Sequence, residues 1–188
     1  MESISRTEGL GTLRERDNIR KAISYLRLLD DGSRLLDVEG VIQDTHKILM
    51  EGIRKDGGQF STKLRTASFR GEETTYPTFL DQNLTYRALL FLVDLYNNVK
   101  NSVKFLFTFL CLHPFGDGNG RLGKIIFSYC LSWRKTTFPS QEKYLDVLTS
   151  IQRKLPEFGF IDTETKALEM VYTVWNADTR KLEELLLQ

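Results

Sequence analysis

The chain has 188 residues and an almost balanced charge, with 26 basic and 25 acidic side chains. This length suits one domain with a well-buried core, and the balanced charge argues against a nucleic-acid or membrane-surface partner. The two cysteines, Cys111 and Cys130, stand in apolar helical segments, which favours small core residues over a disulfide or a metal pair. The N-terminus carries no apolar signal segment, and we expect a cytoplasmic protein.

The N-terminal part of the chain predicts two helices. Thr12 and Glu15 form a capping-box pattern ahead of apolar residues at helical spacing, so a helix is predicted over Leu13–Leu29. A second helix is predicted at about residues 35–52. It carries His46, a lone helical histidine that we interpret as a packed or capping residue.

Residues 57–77 change character. Glycine, serine and threonine are frequent here, and the segment ends in Tyr76-Pro77, so helical periodicity is lost. A short alternation predicts a two-stranded flap that turns at residues 70–72. The alternative interpretation is a disordered, solvated loop.

The remainder of the chain is again helical in pattern, and no second domain or internal repeat is evident. Helices are predicted at about residues 80–97, 99–112, 119–133, 141–154, 163–176 and 179–187. The sequence therefore predicts an all-α domain of about seven to eight helices with a short β-hairpin flap. The longest apolar run, residues 103–112, is too short to span a bilayer.

Residues 113–121, which read HPFGDGNGR, are explained by neither packing nor solubility. Three glycines at alternate positions suit a tight loop. A loop that opens into a helix at Asn119 or Gly120 points free backbone N–H groups outward at the positive end of the helix dipole, where a phosphate is the usual ligand. The chain has no Gly-Lys-Ser/Thr for a P-loop, and no strand precedes the segment as a dinucleotide fingerprint requires.

The side chains of this loop suit a metal–nucleotide complex. His113 is a candidate base or nucleophile, Asn119 an amide donor and Arg121 a guanidinium. Asp117 is a carboxylate of the kind that holds Mg²⁺ together with substrate phosphates. Phe115 is predicted to anchor the loop in the core.

The segment resembles the signature of the Fic family, His-x-Phe-x-(Asp/Glu)-Gly-Asn-Gly-Arg, followed after two further residues by a second Arg. Nine consecutive positions fit, and the second Arg is Lys124 here. The alternative is a glycine-rich turn between helices that happens to contain His and Arg. The resemblance implies a Fic domain over residues 12–188, with the flap at about 57–77 and the motif loop at 113–121.

The resemblance implies transfer of AMP from ATP to a Tyr, Thr or Ser hydroxyl of a target protein. His113 would be the general base, and Asp117 would hold Mg²⁺. The residues implied to bind the nucleotide phosphates are Gly116, Gly118, Asn119, Gly120, Arg121 and Lys124. The flap would register the target as an added strand, and its docking residues would be Lys63, Leu64, Arg65 and Thr66.

Residues 1–11 are a candidate inhibitory segment by the same resemblance. Many Fic proteins carry a helix with the pattern (Ser/Thr)-x-x-x-Glu-(Gly/Asn), whose Glu pairs with the second motif Arg and blocks the ATP γ-phosphate. Glu8 followed by glycine fits the end of this pattern, but Ile4 stands where the hydroxyl belongs. Lys124 would also pair less firmly than the fork of an arginine. The alternative is a plain surface or capping glutamate.

Other activities remain open at the same site. Removal of AMP and transfer of phosphocholine both occur on Fic domains, and a non-catalytic module that binds nucleotide or a partner is a different class of function. Lys124 in place of Arg favours such a module, whereas the presence of His113, Asp117 and Arg121 favours an enzyme. The target protein, the modified residue and the oligomeric state are not encoded in any pattern that we recognise.

Overall fold

The computed structural model describes residues 12–134 and 137–188. Within them the chain forms eight α-helices and a small hairpin, so the predicted fold class is confirmed. The helices are α1 (Leu13–Leu29), α2 (Asp44–Leu49), α3 (Gln82–Val99), α4 (Ser102–Leu112), α5 (Asn119–Cys130), α6 (Gln141–Gln152), α7 (Glu164–Trp175) and α8 (Arg180–Leu186).

Helix α1 begins at the capping box that the sequence predicts. The Thr12 hydroxyl accepts a hydrogen bond from the Glu15 N–H at 3.2 Å, and the Glu15 carboxylate accepts one from the Thr12 N–H at 3.1 Å. Two otherwise unpaired N–H groups are thereby satisfied, which stabilises the first turn. The buried face of the helix consists of Asn18, Ile19, Ala22 and Leu26.

The predicted helix at 35–52 is wrong in its start and in its uniformity. A six-residue π-helix, Val38–Gln43, comes first, and α2 continues from it. The Asp37 carboxylate accepts hydrogen bonds from the N–H groups of Gly40 and, at 3.0 Å, Val41. Because Asp37 caps the segment, helical structure begins at Val38 rather than at residue 35.

Helices α4 and α5 pack against each other at the centre of the domain. Nearly every residue of both is buried, including Phe105, Phe109, Leu122 and Ile126. Helices α3 and α7 pack on α4, while α1 and α2 cover α5. The turn between α4 and α5 is therefore held between two fixed helix ends.

The hairpin forms as predicted. Strands β1 (Thr66–Phe69) and β2 (Glu72–Thr75) pair in antiparallel register, and the two residues of the turn, Arg70 and Gly71, have φ angles of 52° and 77°. Two left-handed residues make the turn that best fits the twist of paired strands.

A second strand pair was not predicted. Strand β3 (Thr78–Phe79) pairs in parallel with β4 (Phe160–Ile161), which ties the end of the hairpin to the segment before α7. In the part of the chain that the structure covers, no helix is both long and apolar enough to cross a bilayer.

Candidate active site

The loop of residues 113–118 connects α4 to α5 and is bounded by two left-handed residues. His113 caps the C-terminus of α4 at φ 48°, and its N–H donates to the Phe109 carbonyl at 3.0 Å. Gly118 caps the N-terminus of α5 at φ 78°. The chain thus reverses direction between two packed helices, and the site rests on the core.

The Asn119 side chain closes this loop from within. Its Oδ1 accepts a hydrogen bond from the Phe115 N–H at 3.0 Å, and its Nδ2 donates to the Phe115 carbonyl at 2.8 Å. Asn119 is predicted to donate to a phosphate, but in this structure its amide shapes the loop. The Phe115 ring is fully buried, which confirms its predicted role as an anchor.

His46 holds the loop from the side. The Gly58 N–H donates to its Nδ1 at 2.8 Å, so Nε2 carries the proton and donates to the Asp117 carbonyl at 2.9 Å. Its ring stacks on Phe115 with centroids 3.6 Å apart. Burial lowers the pKa of His46 to about 4, which keeps the ring neutral. The interpretation of His46 as a packed residue is confirmed.

Two glycines of the loop lie close to neighbouring side chains. A Cβ added to Gly118 would come within 2.5 Å of Met50 Cε, and one added to Gly116 would come within 3.0 Å of Arg54 Nη2. Because Met50 Cε is the end of a flexible side chain, the positive φ of Gly118 is the stronger reason for glycine at position 118.

The N-terminus of α5 has no side-chain cap in the described structure. The first-turn N–H groups of Asn119 and Gly120 therefore lie at the positive end of the helix without a side-chain acceptor, an arrangement that favours an anion. Arg121 follows in the same turn and is 3% exposed. A phosphate bound here would meet both the helix dipole and a guanidinium.

Arg121 has spare donor capacity. Its Nη2 donates to Asp117 Oδ1 at 3.3 Å. Its Nη1 makes no hydrogen bond within residues 12–134 and 137–188, and Glu15 Oε1 lies 3.9 Å away. A buried, unsatisfied donor is costly, and an anion at this place would relieve the cost. The approach of Glu15 from α1 was not predicted, because the capping pattern already accounts for that carboxylate.

Asp117 is the carboxylate of the site. Its side chain is half-exposed, and its Oδ1 accepts a hydrogen bond from the Gly118 N–H at 2.6 Å. Among the residues described, no three His, Cys, Asp or Glu side chains come together as a metal site of their own. A metal at Asp117 would need further ligands from a substrate, which fits Mg²⁺ carried by nucleotide phosphates.

His113 is the candidate base. Its ring stacks on Tyr76 with centroids 3.7 Å apart and an interplanar angle of 9°. Burial, followed by the charge of Arg65, lowers the pKa of His113 to about 4, while the Leu110 carbonyl and Asp117 act in the opposite direction. The Leu110 carbonyl does not reach good hydrogen-bond geometry with His113, whose Nδ1 has no hydrogen-bond partner of good geometry in the described chain. The ring is therefore neutral at pH 7 and able to accept a proton.

Comparison with known proteins decides the family. A sequence model of the Fic/DOC family matches residues 36–131, about half of the 188-residue chain, and its span includes the whole loop between α4 and α5. The chain belongs to the Fic/DOC family. The resemblance seen in residues 113–121 is thereby confirmed.

Solved structures share the fold of this Fic domain. A Fic domain containing signaling protein from Bacteroides thetaiotaomicron VPI-5482 is 17% identical with a TM-score of 0.64, over 94% of this chain and 71% of that one. A Fic family protein from Desulfovibrio desulfuricans G20 is 18% identical with a TM-score of 0.62, over 97% of this chain and 59% of that one. At these identities the likeness shows the fold alone.

A curated relative is much longer than this chain. The ribonucleoside-diphosphate reductase small chain of Ostreid herpesvirus 1 (isolate France) is 26% identical over 157 residues. The match covers 73% of this chain and 27% of that protein. The Fic domain thus spans about a quarter of the length of this relative.

The predicted flap residues of the Fic domain divide into two groups. Lys63, Leu64 and Thr66 are exposed, with Leu64 at 67%. Arg65 is instead 7% exposed and turned inward, where its guanidinium donates to the carbonyls of Ser61, at 3.2 Å, and Pro77. The influence of Arg65 on His113 was not predicted, since flap and motif loop are far apart in sequence.

Lys124 lies deep in the domain. It is fully buried, and its Nζ lies 4.6 Å from the ring centroid of Tyr144 and 5.6 Å from that of Phe138. Aromatic faces stabilise an ammonium group in such a place. Its role toward a nucleotide stays a prediction. Glu8, the candidate inhibitory residue, lies outside the described residues.

A cavity of 440 Å³ opens beside the hairpin. It lies between β2, α6 and residues 155–159, and both Tyr76 and Cys111 contribute to its lining. Its size suits a side chain or a small ligand. Tyr76, which lines the cavity, also stacks on His113.

Proposed function

We propose that this Fic domain transfers AMP from ATP to a Tyr, Thr or Ser hydroxyl of a target protein. The observation that carries the proposal is the pairing, across one short loop, of the neutral imidazole of His113 with the uncapped N-terminus of α5 and its buried Arg121. A proton acceptor beside an anion site is the arrangement that transfer at phosphorus requires.

His113 acts as the general base. It accepts the proton of the target hydroxyl as that oxygen forms its bond to the α-phosphorus, and the bond from the α-phosphorus to the leaving oxygen breaks to release pyrophosphate. The protein supplies position and electrostatic stabilisation for this displacement rather than a covalent intermediate.

The N-terminus of α5 and Arg121 bind the phosphates. The N–H groups of Asn119 and Gly120 stabilise the charge that grows on the phosphate oxygens, and Gly116 and Gly118 leave room for the phosphates to approach the backbone. Arg121 exchanges its long contact with Glu15 for a phosphate oxygen, since that contact measures 3.9 Å and leaves Nη1 unsatisfied. Lys124 adds positive charge one turn further along α5.

Asp117 holds Mg²⁺ with the help of substrate oxygens. Its carboxylate is half-exposed beside the anion site, which suits a single protein ligand to a metal–nucleotide complex. The ion, when bound, neutralises part of the phosphate charge.

The target docks on the hairpin. Strand β1 is paired with β2 alone among the described strands, so its other edge is available to an extended segment. Lys63, Leu64 and Thr66 lie exposed at the start of this edge.

A cytoplasmic location is part of the proposal, because ATP is required and the cysteines Cys111 and Cys130 are unpaired thiols.

The experiment is a labelling assay with Mg²⁺ and one of three labelled donors, α-labelled ATP, γ-labelled ATP or a phosphocholine donor, on the chain and on lysate proteins. Label from the α position alone supports AMP transfer. Label from the γ position would indicate phosphate transfer, and label from a phosphocholine donor alone would replace the proposal with phosphocholine transfer. ATP binding without any transfer would favour a non-catalytic module.

The same assay tests inhibition by residues 1–11. We propose that Glu8 limits transfer by opposing the γ-phosphate near Lys124. Glu8→Gly should then raise the yield of label, and an unchanged yield would remove Glu8 from the account.

A further inference from the structure

Arg65 and Tyr76 form the root of the hairpin. Arg65 directly precedes β1 and Tyr76 directly follows β2, and the Tyr76 N–H donates to the Arg65 carbonyl at 3.0 Å. The two residues thus extend the ladder of the hairpin by one pair beyond Thr66 and Thr75. We call this pair the clasp.

Both members of the clasp act on His113. Tyr76 covers one face of the imidazole, with the two rings almost parallel at 3.7 Å. The Arg65 guanidinium is held in place by the carbonyls of Ser61 and Pro77, and after burial its charge is the next cause that lowers the pKa of His113. The root of the flap therefore orients His113 and contributes to its electrostatic environment.

Packing does not explain a guanidinium at this position. Arg65 is 7% exposed, no carboxylate pairs with it in the described structure, and its Nε lacks a hydrogen-bond partner there. The carbonyls of Ser61 and Pro77 need a donor but not a charge, so a neutral amide side chain could serve them without the cost of an unpaired buried charge. Such a residue indicates a functional role for the charge.

The proposed reaction gives a role to the charge of Arg65. A histidine beside a nucleotide polyphosphate is driven toward its protonated form, in which it cannot act as a base. A fixed positive charge that acts on the ring, as Arg65 does, opposes this tendency. We propose, on the basis of the proposed function, that the clasp is a positioning device that orients His113 and keeps it in its proton-accepting form while phosphates are bound.

The other groups around His113 support this assignment. The Leu110 carbonyl on α4 and the Asp117 carboxylate on the motif loop both favour the protonated ring, and Asp117 lies on the side of the anion site. Burial and Arg65 favour the neutral ring. Arg65 is thus the charged group that offsets Asp117, and a bound phosphate would add to the side of Asp117.

The test is an NMR titration of the histidine ring protons in the full chain. The chain has two histidines, so His113→Asn assigns both signals. In Arg65→Gln, which keeps donors toward Ser61 and Pro77 but loses the charge, the pKa of His113 should rise by roughly 1 unit. The pKa of His46 should stay unchanged, since Asp56, Asp117 and Arg121 are the charged groups near that ring.

Matched variants separate charge from structure. Arg65→Lys keeps the charge and should preserve the low pKa of His113, and Arg65→Met provides a second neutral variant if Arg65→Gln does not fold. Arg70→Gln removes an exposed arginine from the same hairpin and should leave His113 unchanged. An unchanged pKa of His113 in a folded neutral variant would contradict the proposed role of the clasp. An equal change of this pKa in Arg70→Gln would contradict it as well.

Transfer activity gives an independent measurement. In Arg65→Gln the acidic limb of the pH profile of kcat should move to higher pH, in step with the NMR titration. Tyr76→Leu should lower kcat about tenfold with an unchanged KM for ATP, whereas Tyr76→Phe should retain activity. Equal activities of these two variants would contradict the positioning role of the ring.

The role of the clasp and the proposal of AMP transfer can be rejected independently. A raised pKa of His113 in Arg65→Gln, in a chain that transfers no AMP, would support the clasp and reject AMP transfer. Transfer with an unshifted titration would reject the clasp alone.

Discussion

The surroundings of the two histidines look alike at first sight. Each ring is buried and stacked on an aromatic ring, His46 on Phe115 at 3.6 Å and His113 on Tyr76 at 3.7 Å. Burial is the largest cause that lowers the pKa of each to about 4. Neither burial nor stacking therefore distinguishes a structural histidine from a reactive one.

Hydrogen bonding does distinguish them. His46 uses both ring nitrogens, one for the Gly58 N–H and one for the Asp117 carbonyl. In His113 the buried Nδ1 makes no hydrogen bond of good geometry in the described chain, although the Leu110 carbonyl acts on it, and the residue begins the loop that leads to the uncapped N-terminus of α5. A neutral imidazole with unused capacity beside an anion site can take up a proton during a reaction, whereas a saturated one can only hold structure.

The largest expected effect on stability is at His46. His46→Ala removes a stacked ring and two hydrogen bonds, and it should lower the free energy of unfolding by about 4 kcal/mol. His46→Phe keeps the stack and should recover part of the loss, as measured by urea denaturation. A loss below about 1 kcal/mol for His46→Ala would mean that the loop does not depend on this residue.

Stability should also fall in mild acid. In the unfolded chain each histidine takes up a proton near its ordinary pKa of about 6.5, but in the native state each stays neutral down to about pH 4. The unfolded state therefore binds more protons between these values, so the free energy of unfolding falls as the pH is lowered through this window. Each histidine should contribute up to roughly 3 kcal/mol to this fall.

The melting temperature, measured between pH 6.5 and pH 4, tests this prediction. His113→Asn should remove about half of the fall, and His46→Phe the other half. A melting temperature that stays flat or rises between pH 6.5 and pH 4 would show that the rings are charged in the native state.

Gly118 in the motif loop and Gly71 in the hairpin turn differ in their surroundings. Gly118 and Gly71 have nearly the same φ, 78° and 77°, but Gly118 has Met50 within 2.5 Å of an added Cβ and Gly71 has nothing within 4 Å. Gly71→Ala should cost about 1 kcal/mol from the backbone alone, and Gly118→Ala about 2 kcal/mol or more. Equal losses of stability in the two variants would indicate that Met50 moves aside without cost.

The smallest effect is expected at Arg70. Its side chain is half-exposed and pairs with Glu142 and, at 2.8 Å, Asp146. Such pairs contribute little in water, so Arg70→Gln should lower stability by about 0.5 kcal/mol. A loss of several kcal/mol would mean that exposed ion pairs, rather than the clasp, hold the hairpin.

Local patterns predict much of this fold. The capping box at Thr12 and Glu15 predicts the start of α1, and the glycines of residues 113–121 predict both the loop and the start of α5. The hairpin turn at Arg70 and Gly71 is also predicted correctly. In each case the signal lies within a few residues of the feature.

Features that depend on distant contacts are absent from such patterns. Strands β3 and β4 have two residues each and join segments about 80 residues apart, so no periodicity marks them. Glu15 reaches Arg121 and Arg65 lies near His113 only after the chain has folded. A lone buried arginine in a flap, or a capping glutamate, has no sequence signature of such a role.

The central claim is that His113 is the proton acceptor and is not required for the fold or for nucleotide binding. His113→Asn tests it most directly, because asparagine tolerates the left-handed conformation at this helix end but cannot take up the proton. The decisive measurement compares AMP transfer and ATP affinity in wild type and His113→Asn. We expect transfer to fall by about 10²–10⁴-fold, with unchanged ATP affinity and an unchanged melting temperature at neutral pH. Transfer at the wild-type rate in the folded variant would contradict the account.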